Sequence, residues 1–214
     1  MMCRRFFMLA LLLPTACAMH KIQYYEMSVP ATPSSPNATA TNGVAQRPSI
    51  AVERFSTVQA LQDSRIRYRK GPNEVGTYEY HRWSDPPAVL VREALAHALQ
   101  ASGSYSSVTD ARSTGSSDFV VRGKLIEFSE LDSTGIQTRV SLDLSVYEQK
   151  SGHLVWTGTL SQDEPVNGKG FDAIVQSMER NLNSLLAQAA SGIRLATKNN
   201  GPPADSGSGA PALN

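Results

Sequence analysis

The residues best equipped for chemistry lie together in one stretch, Tyr78 to Pro87, which reads YEYHRWSDPP. Arg82 and His81 could hold an anionic group while Tyr80 and Trp83 stack upon it. The same residues also have local structural uses. Tyr78, Tyr80 and Arg82 share one face of an extended strand. Trp83 then plugs the corner where the strand turns into a helix. Ser84 or Asp85 can cap free backbone N–H groups, and a proline suits the first helical turn because its missing N–H costs nothing there. The structural use accounts for every residue, so the stretch reads first as a strand entering a helix. Tyr80, Arg82 and Trp83 are kept as candidates for contact with a partner.

Other searches for chemistry find little. The chain contains no G-x-S-x-G, no Walker loop and no H-E-x-x-H. His20, His81, His97 and His153 are scattered, and Ala101 stands where a second ligand after His97 would be needed. No enzyme activity, metal or cofactor is expected. Charge is nearly balanced, with 20 basic against 19 acidic residues. A nucleic-acid binder that tracks phosphates would show a basic excess. Both cysteines, Cys3 and Cys17, fall near the N-terminus, so the body of the chain has no disulfide framework.

The N-terminus has the three-part layout of an export signal. Arg4 and Arg5 precede an apolar run, Phe6 to Leu13, and small residues follow. The run is too short to span a bilayer as a helix. Thr15, Ala16 and Cys17 fit the end of a bacterial lipoprotein signal, although Pro14 stands where leucine is usual. Cleavage after Ala18 is the competing site. The lipoprotein reading makes residues 1–16 a signal peptide and Cys17 the lipidated first residue, on a short tether through residue 21. Three acyl chains, at about 0.8 kcal/mol per buried methylene, anchor a protein without a transmembrane helix. Ala18, rather than an aspartate, follows the cysteine and points to the outer membrane.

The elements that must position these residues follow from periodicity. Lys21 to Val29 holds a short strand, and residues 30–48 form a Pro/Ala/Thr-rich loop. Strands are expected over Ser49–Thr57, Arg65–Lys70 and Val75–Arg82. A helix from about Pro86 to Ser102 carries an apolar stripe through Leu90, Val91, Leu95 and Leu99 and stops at Gly103. Strands at Asp118–Glu130, Thr138–Gln149 and His153–Gln162 follow. Val140, Leu142, Leu144 and Val146 alternate with polar residues, which indicates a sheet with one buried and one solvated face. Leu154, Trp156, Gly158 and Leu160 continue the buried face. A last helix runs from about Gly170 to Leu195, and residues 197–214 have a disordered composition. The expected fold is α+β, a single domain over residues 22–196, with an antiparallel sheet and two helices packed on one face.

Several pieces recur in a familiar order. A lipoprotein cysteine is followed by Tyr24-Tyr25, then RIRYR (Arg65 to Arg69), then YEYHRWSDPP. Leucines at 90, 95 and 99 lead to SGSYSSV (Ser102 to Val108), then LIEF (Leu125 to Phe128) and GHLVW (Gly152 to Trp156). The sequence resembles the ABC-type transport auxiliary lipoproteins, paraquat-inducible-type outer-membrane partners of MCE-domain lipid transporters. The resemblance implies a non-enzymatic lipoprotein facing the periplasm. Its partner would be the periplasmic MCE-domain protein of an inner-membrane ABC transporter. It would help phospholipid or another hydrophobic compound cross between the membranes. A lipid- or ligand-binding carrier and an outer-membrane assembly lipoprotein are the alternatives.

Overall fold

The alternation over residues 138–146 governs the architecture. The computed structural model describes residues 20–28, 47–110, 117–132 and 135–200. The expected signal peptide, Cys17, most of the 30–48 loop and residues 201–214 lie outside the described residues. Strand β8 (Ile136–Glu148) buries Thr138, Val140, Leu142, Leu144 and Val146, and the residues between them are partly exposed. Its neighbours β7 (Phe119–Asp132) and β9 (Leu154–Pro165) run antiparallel to it. The hairpin between β8 and β9 turns at Gly152, whose φ of 69° is left-handed and suits glycine. Trp156 and Leu160 are partly buried against the core, whereas Leu154, expected to be buried, is exposed.

The other edge of β7 is shared by three short strands placed end to end. They are β2 (Ile50–Val52), β3 (Ser56–Thr57) and β4 (Arg65–Lys70), and all three run parallel to β7. The expectation of an antiparallel sheet is therefore corrected to a mixed one. Parallel pairing requires a crossover, and the chain between β4 and β7 supplies it. Strand β5 (Glu74–Trp83) returns antiparallel to β4, helix α1 (Pro87–Ala101) crosses over, and β6 (Val108–Asp110) pairs with β2. Strand β1 (Gln23–Tyr25) adds to the outer side of β5. The described residues form a nine-stranded sheet.

Two helices cover one face. Helix α1 buries Val91, Leu95 and Leu99, and helix α2 (Phe171–Asn199) buries Met178, Leu182, Leu185, Leu186, Ala189 and Ile193. Polar pins fix α2 on the sheet. Asn181 Nδ2 donates to Thr138 O at 2.8 Å and to Gln162 O at 3.0 Å, and Ser177 Oγ donates to Glu164 O at 3.1 Å. These bonds satisfy buried carbonyls that apolar packing alone would leave unpaired.

Two expectations about helix ends are corrected. Neither Ser84 nor Asp85 caps α1. Pro86 occupies the cap position, and no side chain bonds to the first turn. Pro87 starts the helix, so one of the free N–H groups of its first turn is missing. Helix α2 continues past Leu195 to Asn199, through residues expected in the tail. Thr197 is buried and its hydroxyl lies 3.1 Å from that of Tyr105, which anchors this last turn.

Candidate functional site

The YEYHRWSDPP stretch forms β5 and the entry to α1. Its register is irregular. From Thr77 to Arg82, β5 takes five steps, while β4 takes two from Arg65 to Arg67. Such an insertion re-aims side chains, and these features gather beside functional sites. In an unbroken strand, Tyr78 and His81 would point to opposite faces. Here both meet Phe171, the first residue of α2. The His81 ring stacks on Phe171 with centroids 3.4 Å apart, and Tyr78 meets it edge-on at 4.6 Å. Tyr78 therefore does not share a face with Arg82, whose register partner is Arg65 on the far side of the sheet.

Beneath this cluster, Tyr78 donates its hydroxyl proton to Glu130 Oε2 at 2.9 Å. Glu130 is only 4% exposed. Burial raises its pKa, against the lowering by the Tyr78 hydrogen bond. Burial also raises the Tyr78 pKa strongly, assisted by the bond to Glu130. Above it, the Tyr25 hydroxyl lies 2.9 Å from His81 Nδ1 and donates to Gln23 Oε1 at 2.8 Å. Burial lowers the His81 pKa from its ordinary value. Glu130, the carboxylate beneath the cluster, is enclosed.

The sequence-derived candidates separate. Trp83 is 1% exposed and packs edge-on against Phe128 at 5.3 Å, inside the core, so it is a corner plug and presents no contact surface. Tyr80 is half-buried and stacks on His20 at 4.9 Å. Arg82 is half-buried, and its Nε is enclosed without a hydrogen-bond partner among the described residues. Cys17 lies outside the described residues. The structure adds two residues to this edge. Tyr24 in β1 is 64% exposed, and Ile22, just before the strand, is 39% exposed. Strand β1 pairs only with β5, and its outer backbone edge is unpaired among the described residues. Exposed aromatic and apolar side chains on an open strand edge are the materials of partner recognition. Tyr24 carried a sequence signal in its tyrosine pair, but exposure on an edge strand depends on the pairing partner and is not visible in local sequence.

Among the described residues, no group of three or more His, Cys, Asp or Glu side chains is placed to hold a metal ion. No described helix is long and apolar enough to cross a membrane.

Comparison with known proteins agrees with the architecture. The chain is similar to the crystal structure of protein XCC0632 from Xanthomonas campestris, with a TM-score of 0.71 and 16% identity, over 83% of this chain and 98% of that one. It is also similar to a crystal structure described as an uncharacterized protein, with a TM-score of 0.63 and 16% identity, over 81% of this chain and 99% of that one. At these identities the likeness concerns the fold. No curated protein matches the chain. The model of one family, the ABC-type transport auxiliary lipoprotein component, matches residues 25–190. This span runs from β1 into α2 and includes β5 and the aromatic cluster. The chain belongs to the family of ABC-type transport auxiliary lipoprotein components.

Proposed function

We propose that the protein is a non-enzymatic docking component of an MCE/ABC-type transport system, held by acyl chains on Cys17 at the outer membrane and facing the periplasm. In this reading it receives the periplasmic MCE-domain protein of the inner-membrane transporter. It thereby helps phospholipid or another hydrophobic compound pass between the membranes. The observation that carries the proposal is the family match over residues 25–190. The open edge at β1, with Tyr24, Ile22 and the neighbouring Tyr80, supplies a surface suited to a partner strand or apolar loop. That edge begins a few residues after Cys17, so an anchored cysteine would hold it near the membrane.

The interior argues for docking over carriage. A carrier would hold cargo between sheet and helices. That space is filled by Leu142, Leu144, Met178 and Leu185, each at most 1% exposed. Affinity purification from mildly solubilised membranes tests the proposal. Recovery of an MCE-domain protein with the native chain, and its loss with a folded Tyr24→Ala/Tyr80→Ala variant, is the expected result. Failure to recover any MCE-domain protein in several mild detergents contradicts the docking role.

A further inference from the structure

On the sheet face away from the helices, arginines alternate along β4. Arg69 pairs with Glu127 at 3.1 Å, and on the neighbouring strands Arg139 pairs with Asp163 at 2.6 Å and Arg122 with Glu53 at 3.1 Å. Arg67 differs. It is 7% exposed, the most buried arginine among the described residues, yet no described carboxylate lies within ion-pair distance of it. An arginine this little exposed is normally paired with a counter-charge.

Arg67 lines an open groove of about 540 Å³ between the β4–β5 hairpin and the 3-10 turn at Gln59–Leu61. Arg65, Asp63, Gln62 and Thr77 line it too. Asp63 is already engaged, with its Oδ2 accepting from Arg65 Nη2 at 2.6 Å. Arg65 in turn faces Arg82 across the β4–β5 register, and the Arg82 charge helps to hold the Asp63 carboxyl below its ordinary range, after the Arg65 hydrogen bond that dominates. Two guanidinium groups, Arg65 and Arg82, thus act on one carboxylate, while Arg67 has no described ion-pair partner and Arg82 Nε is enclosed without a hydrogen-bond partner among the described residues.

We propose that this groove binds a phosphate-type oxyanion between Arg65 and Arg67. Residues two apart on a strand are separated by about 6.7 Å. A carboxylate offers both oxygens to one guanidinium fork, whereas a tetrahedral phosphate presents oxygens in two directions and can bridge two forks. Groove volume exceeds that of the phosphate alone and falls within the roughly 300–1,000 Å³ of small-molecule sites. It therefore has room for a group esterified to the phosphate. Val75, exposed at the rim, offers an apolar contact beside the charged floor. Either a lipid headgroup or a free phosphate provides this chemistry. The proposal does not depend on the docking role.

The full chain, purified in a non-ionic detergent, is titrated calorimetrically with inorganic phosphate. In separate runs it is titrated with mixed micelles carrying phosphatidylglycerol, or carrying diacylglycerol as a phosphate-free control. Saturable binding is expected for a phosphate-bearing probe and not for diacylglycerol. Arg67→Met should weaken it roughly tenfold to a hundredfold, the range for loss of a charge-assisted hydrogen bond. Arg65→Met, at an exposed position, gives the same reading if Arg67→Met fails to fold. At least tenfold tighter binding of phosphatidylglycerol than of phosphate assigns the site to a headgroup, and equal affinity assigns it to free phosphate. Absence of binding by either probe overturns the proposal. So does binding that diacylglycerol matches or that the arginine variants leave unchanged.

Discussion

Replacing Glu130 with glutamine should stabilise the protein at neutral pH or leave it unchanged, although it removes a charged hydrogen-bond acceptor. Glu130 is 4% exposed, and burial outweighs the Tyr78 hydrogen bond in setting its raised pKa. A raised folded-state pKa means that the native site prefers the neutral form. The unfolded chain then releases this proton first, near the ordinary glutamate pKa of about 4.3. Stability from this group is therefore complete below that pH and declines as pH rises through the higher folded value. Glutamine keeps an acceptor for the Tyr78 hydroxyl and removes the charge. Tyr78→Phe acts in the opposite direction, because it strips the donor from a buried carboxylate. Hydrogen bonds to charged groups contribute about 1.5–3 kcal/mol, so Tyr78→Phe should cost about that at pH 7. In the Glu130→Gln background the same change should cost only about 0.5–1.5 kcal/mol, the range for neutral bonds. Urea unfolding of the wild type, both single variants and the double variant at pH 4 to 7 measures each term. The wild type minus Glu130→Gln difference isolates Glu130 from Asp63, whose depressed pKa acts in the reverse sense as pH falls. The reasoning is refuted if Glu130→Gln loses more than about 1 kcal/mol at pH 7, or if the stability difference between the two is flat from pH 4 to 7.

Three further substitutions probe the packing. Trp83→Ala should cost about 3–5 kcal/mol in chemical denaturation, as expected for a large aromatic removed from a closed core beside Phe128. Gly192→Ala should destabilise in a thermal melt despite a helix-propensity gain of about 1 kcal/mol, because an added Cβ would lie 2.9 Å from Trp156 Cζ2. In a Trp156→Leu background the same change should become stabilising. Thr197→Ala should cost about 1–3 kcal/mol by leaving the buried Tyr105 hydroxyl unpaired, and hydrogen exchange should show the last turn of α2 opening sooner.

Much of the fold was legible because it is written in short-range periodicity. The alternation of Val140, Leu142, Leu144 and Val146 predicts a half-buried strand, and periodicity over about Gly170 to Leu195 predicts a helix. Both are present. Pairing was not legible. Whether β2, β3 and β4 run parallel or antiparallel to β7 depends on a crossover more than forty residues long, and no local pattern encodes it. The α1 start was read correctly from its prolines and wrongly from Ser84 and Asp85, since Pro86 takes the cap position itself. Within the candidate site, Trp83 was read correctly as a corner plug, but the insertion in β5 brings both Tyr78 and His81 onto Phe171. An irregular register depends on the partner strand, so alternation alone does not place Tyr78 and His81 together. The burial of Arg67 inside RIRYRK was equally hidden, because a basic run in sequence resembles a solvated edge.

Site-specific photo-crosslinking tests the docking role most directly. A photoreactive residue is placed at Tyr80, beside the open β1 edge, and separately at Ser184, exposed on α2. The account predicts a crosslink from position 80 to an MCE-domain protein in intact cells, and a much weaker one from position 184. Equal crosslinking from both positions, or none to any MCE-domain protein from position 80, would contradict it.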